Sequence, residues 1–200
     1  GFYVFENVLA PEELEELKHD INDILERAPA DADSTVDAMG RSALGVGHKG
    51  RTFTWVKPLS DPRGGTAIAH GRHPVKMDEP TPPVDAPDRV VQVLMGPLQY
   101  SEACLRLYAH PELLAVAASI NGEDFTPFSE ALFVKQPGLG GSVAWHQDGF
   151  THWDNPDRDE HIHGVNFMAQ LYGCNAANGL WVVPGSHRDK ADIRAMVESA

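Results

Sequence analysis

The sequence predicts a mainly β domain with flanking α-helices, an antiparallel sandwich or barrel of the jelly-roll kind. Three observations carry this expectation. Residues 129–135, 142–147, 161–173 and 180–183 are short, strand-like segments separated by Gly-, Pro- and Asn-rich turns. An amphipathic helical pattern lies near the start. Two further helical stretches fill residues 98–120.

Residues 2–9 are expected to form a short strand with Phe2, Val4 and Val8 inward. Pro11 suits the first position of a helix, and Glu12 and Glu13 place negative charge in its first turn. Leu14, Leu17, Ile21, Ile24 and Leu25 share one face, and the helix stops before Pro29. Residues 28–96 are rich in Gly, Pro, Asp and Ser. Within them, residues 51–57 alternate as a strand, and residues 58–87 read as a long loop whose clearest breaker is Pro80-Thr81-Pro82-Pro83. Long ordered loops often serve as lids or binding loops. The helices of residues 97–122 break at His110-Pro111 and stop at Asn121-Gly122.

These segments make one domain over residues 1–200. Residues 1–27 supply the N-terminal strand and helix, 28–96 a loop-rich substrate region, 97–122 helices, and 128–187 the first part of a jelly-roll core. A last helix starts at Asp189. About half of the strands of a full jelly roll are present, so the fold is expected to be incomplete at the C-terminus of this chain.

Composition narrows the function. A net charge of -13 argues against a nucleic-acid binder, and against docking to an anionic membrane. No apolar run is long enough to span a bilayer, and no signal peptide is visible. Cys104 and Cys174 form no CxxC pair; two buried, unbridged thiols suit a reducing, cytoplasmic interior.

The chemistry concentrates at Trp145-His146-Gln147-Asp148-Gly149. His146 and Asp148 stand two apart, so on a strand they face the same way and reach one metal ion together. A third imidazole from elsewhere would complete a 2-His-1-carboxylate triad, which leaves positions open on iron(II). His152, His161 and His163 crowd the same region. A zinc site built from His146, Asp148 and either His161 or His163 is the rival constellation; the plainer alternative makes that pair polar residues at a strand start.

The stretches FVKQPGLGGSVAWHQDG (residues 133–149) and HGVNFMAQLYGCNAANGLWVVPGSH (residues 163–187) resemble the phytanoyl-CoA dioxygenase family. In order, they show a strand with Lys and Pro, a Gly-rich turn, W-H-x-D, a further strand, then an N-G turn leading to P-G-S-H. The opening GFYVFENVLAPEEL (residues 1–14) is similar to the family's N-terminal strand and helix. The resemblance is poor over residues 30–95, where members differ and substrate is selected.

The resemblance implies a double-stranded β-helix, cupin-like, holding Fe(2+) and 2-oxoglutarate. It implies a dioxygenase that hydroxylates a small molecule with dioxygen and releases succinate and carbon dioxide. His146 and Asp148 match its first two iron ligands. Its third histidine, and an arginine for the distal carboxylate of 2-oxoglutarate, are expected beyond residue 200. His187, in the P-G-S-H turn, is not normally that ligand; a compact alternative closing on His187 or His163 stays open. Relatives that halogenate carry a small residue where this chain has Asp148, which points to hydroxylation or a related oxidation; desaturation, ring closure and endoperoxide formation share the same ligands and stay open.

Lys135, Asn166 and Gln170 are candidate contacts to 2-oxoglutarate: if Met168 points inward, Asn166 and Gln170 do too. His152 and Trp153 are candidate walls of the substrate pocket. Arg51, Lys57, Arg63, Arg72 and His73 could meet an anionic substrate or simply face solvent. The alternative to an oxygenase is a zinc-binding or other divalent-metal cupin acting as a hydrolase, isomerase or binding module.

Overall fold

The computed structural model describes residues 1–48, 51–60, 81–127, 129–143, 146, 164–175, 178–188 and 195. Helix α1 spans Pro11–Glu26. Proline occupies its first turn, and the Ala10 N–H donates to Glu13 Oε2 at 2.8 Å, which satisfies one donor at the helix start. Leu17, Ile21 and Ile24 form its buried stripe, as the helical spacing predicts.

Strand β1 is Phe53–Val56, β2 is Val90–Met95 and β3 is Ala131–Phe133. They form one antiparallel sheet in the order β1-β2-β3. Helix α2, Glu102–Tyr108, and helix α3, Pro111–Asn121, follow a 3-10 turn at Pro97–Gln99. The break at His110-Pro111 and the stop at Gly122 (φ 85°) fall where the sequence places them.

Strand β2 corrects the expectation that residues 28–96 are loop apart from one strand. It is the sheet's central strand, with Val90, Val91, Gln92 and Leu94 buried. Its run V-V-Q-V-L-M carries no polar alternation because both of its faces are covered.

A bulge interrupts the β1–β2 ladder. Thr54 pairs with Val93 and Trp55 with Val91, so Gln92 is the extra residue. The insertion resets the alternation. Leu94 and Val91, three apart, therefore share the cluster that holds Phe53, Ile24 and Ala28. Leu25, Leu44, Trp55, Tyr100, Leu132 and Val134 close around it. A second cluster joins Leu17 and Ile21 to Ala103 and Cys104 of α2.

Ser101 ties the two helices together. Its hydroxyl accepts from the Cys104 N–H at 2.9 Å, capping α2, and donates to Asp20 on α1 at 2.6 Å. Burial raises the Cys104 thiol pKa, the Ser101 hydrogen bond opposes this, and the Asp20 charge adds to it. Cys174, expected to be buried, is exposed.

Other strand expectations fail. Residues 2–9 form no strand, and Phe2, Tyr3 and Val4 are exposed. The described parts of residues 161–173 and 180–183 are likewise irregular, with Phe167, Met168, Tyr172 and Leu180 exposed. Strand composition describes a fit to a pleated surface, and no neighbouring strand pairs with these segments among the described residues. Residues 142–147 and the helix from Asp189 fall largely outside the described residues. No described helix is long and apolar enough to cross a membrane.

The loop after α1 has its own polar centre, which the sequence did not announce. The Asp37 side chain is fully buried and takes N–H groups from Met39 and Arg41 at 2.9 Å. Arg41 Nε donates to it at 2.7 Å, and Arg27 Nε lies 3.7 Å away. Burial alone would raise the Asp37 pKa; the Arg41 N–H and guanidinium and the Met39 N–H outweigh it, so the pKa falls below the ordinary 3.8. A depressed carboxylate adds stability above its unfolded pKa and loses it as pH falls through the folded one. Asp37→Asn should therefore melt below wild type at neutral pH. The gap should close as the pH is lowered through about 4 and beyond, because the wild-type carboxylate then protonates. A gap independent of pH in thermal melts would remove the charge from this account.

Candidate metal centre

The chain reaches His146 through a glycine-rich turn that follows β3. Leu139 and Gly140 N–H groups donate to the Gln136 carbonyl at 3.1 and 2.9 Å. Gly138 has φ 71°, which a side chain rarely adopts. A Cβ on Gly140 would lie 2.8 Å from Lys135 Cα, so the turn closes tightly on the end of the preceding segment.

The turn is fastened on two sides, to the loop after β1 and to strand β2. The Leu59 N–H donates to the Leu139 carbonyl at 2.9 Å. The Gln92 side-chain amide donates to the Ser142 carbonyl at 3.0 Å. Between them Gly141 is buried, and a Cβ there would lie 3.0 Å from Val56 Cγ2 and 3.3 Å from Gln92 Nε2. The bulge that frees Gln92 thus anchors the chain that leads to His146, and His146 itself is exposed. Spacing along the sequence gives no sign of this anchor.

Lys135 stands at the start of the turn. The residue keeps an exposed surface, yet protein crowds its ammonium enough that desolvation lowers its pKa. No carboxylate pairs with it among the described residues. A dicarboxylate ligand nearby would offset that desolvation.

Asn166 and Gln170 are exposed, and their segment is not a strand, so strand alternation does not aim them inward. Gln170 Nε2 sits 3.5 Å from Met168 Sδ, on that side chain's side of the backbone. The chain after them docks on α1. Asn22 Nδ2 donates to the Tyr172 hydroxyl at 3.2 Å, and Lys18 Nζ lies 5.5 Å from the Tyr172 ring centroid. Asn178-Gly179 and Pro184-Gly185 form turns as expected, with Gly185 at φ 85°. His187 follows the second turn at the far end of this segment, against the N-terminus: a Cβ on Gly1 would lie 3.4 Å from its Cε1.

Asp148, His152, Trp153, His161 and His163 lie outside the described residues, as do Arg63, Arg72 and His73. Among the described residues no three His, Cys, Asp or Glu side chains converge on a metal position.

The phytanoyl-CoA dioxygenase family model matches residues 1–199. The chain belongs to the phytanoyl-CoA dioxygenase family. An L-proline trans-4-hydroxylase of Streptomyces griseoviridis is 32% identical over 97 residues, which is 48% of this chain and 36% of that protein. The chain thus aligns with little more than a third of the length of this curated relative. No solved structure matches it.

Membership brings the cupin or jelly-roll class. The described sheet with its flanking helices is a small antiparallel arrangement compatible with that class.

Proposed function

We propose that the protein is a non-haem iron(II)- and 2-oxoglutarate-dependent dioxygenase that hydroxylates a small organic molecule on a double-stranded β-helix. The observation that carries it is the approach to His146. A tight glycine turn, fastened by Leu59 after β1 and by Gln92 of β2, ends at an exposed imidazole two residues before a carboxylate. Imidazole with carboxylate is a donor pair suited to iron(II). A second imidazole would complete the ligand set in this proposal.

His146 and Asp148 hold the metal. Lys135 supplies a cation, unpaired among the described residues, for a carboxylate of 2-oxoglutarate, with Asn166 and Gln170 as lesser contacts. Trp153 and His152 wall the substrate. Iron(II) held by His146 and Asp148 would supply oxygen activation, with 2-oxoglutarate as the co-oxidised cosubstrate. The chain's own part is to hold the ligands in place and keep water from the reacting centre.

The substrate region is residues 28–96, and the kinship with a proline hydroxylase makes free amino acids the first compounds to try. Unbridged thiols and an acidic surface agree with a cytoplasmic setting, away from nucleic acid and membrane.

The test is succinate release. It should require iron(II), dioxygen and 2-oxoglutarate together, and rise with a true substrate. Tight zinc retention with no succinate across a broad panel would instead favour a metal-binding cupin of hydrolase, isomerase or binding type.

A further inference from the structure

We infer that Gln92 is a positioning residue for the metal-bearing segment, acting through the Ser142 carbonyl four residues before His146; this rests on the proposed role of His146. Gln92 is buried, 4% exposed, in the middle of the sheet. Its backbone carbonyl accepts from the Val134 N–H at 2.8 Å, so the residue just after β3 holds the main chain at the bulge. The bulge takes its side chain out of the ladder's alternation and sets Nε2 3.0 Å from the Ser142 oxygen. A buried amide in a central strand is costly unless hydrogen-bonded, so the pair holds firmly once formed.

Val56 and Gln92 Nε2 both approach Gly141, beside the carbonyl that the amide binds. What the amide adds is direction. It fixes Ser142 relative to β2, and Gly141 permits the approach because any side chain would press on Val56 and Gln92. His146 stands four residues after Ser142, so this contact sets where the chain toward the imidazole begins, from a residue 50 positions upstream of Ser142.

The experiment uses Gln92→Met, close in length and volume but lacking the donor, and Gly141→Ala, which disturbs the same junction from the other side. Both are made in the full protein and titrated with cobalt(II) as a spectroscopic stand-in for iron(II). Each variant should lose about tenfold in affinity, the scale of supporting contacts around metal sites. The cobalt d–d bands should shift, and hydrogen exchange should quicken in residues 141–147 but not in α1. Unchanged affinity, bands and exchange in both variants would overturn the inference. Should Gln92→Met fail to fold, Gly141→Ala decides. Should wild type bind no cobalt, the metal reading falls, while exchange at 141–147 still decides whether Gln92 holds the turn: unchanged exchange sinks the inference, quickened exchange keeps its structural half.

Discussion

Asp148→Ala is expected to abolish iron-dependent turnover and to weaken iron(II) binding by more than about 100-fold, beyond the range seen for supporting contacts. The argument begins with charge. A dication held by neutral imidazoles keeps its full charge in a partly dry site; one carboxylate halves it and adds a hard oxygen donor. It continues with spacing: an imidazole and a carboxylate two residues apart can reach one ion wherever the segment is extended. Anaerobic titration with iron(II) or manganese(II) checks the outcome, and wild-type affinity in the variant would remove Asp148 from the ligand set. His187→Ala is the control. His187 lies beside Gly1, at the end of the segment that follows the α1 contact, and its loss should leave affinity unchanged. A large loss in that variant would instead support the compact alternative that closes on His187.

How legible was this in the sequence? The helices were, because their signals are local. Pro11 and Pro111 at first turns, Gly122 at a stop and Leu17, Ile21 and Ile24 on one face need no knowledge of the rest of the chain. The sheet was half legible. Strand β1 alternates, whereas β2 is apolar on both faces with a bulge at Gln92, so a test for period two fails on it. A run between Arg89 and Gly96 that is apolar except at Gln92 was the signal available. Residues 164–173 and 180–183 show the converse error: strand-like composition without a ladder, because pairing is a tertiary property. At the proposed site, His146 stands out by residue type and Asp148 by spacing. The contact of Gln92 with Ser142 does not, since the two meet only after the sheet has formed.

That dependence of site on sheet makes the core the second point of leverage. Leu94→Ala should destabilise the fold by about 2–5 kcal/mol, the usual cost of deleting a fully buried leucine. Leu94 is 0% exposed. It sits on the central strand opposite Phe53 of β1 and Leu132 of β3, in the cluster that also holds Ile24 of α1. The gap would therefore open where three strands and the helix converge, and no single neighbour can move in without breaking another contact. Phe133→Ala is the matched control, because Phe133 on β3 is 51% exposed and its truncation should cost under about 0.5 kcal/mol. Denaturant unfolding of the two variants separates them. Equal midpoints would mean that the cluster around Leu94 is not the core that holds β2 in register. A collapse for Leu94→Ala alone would show that register, and with it the reach of Gln92 to the turn before His146, depends on packing from the far side of the strand.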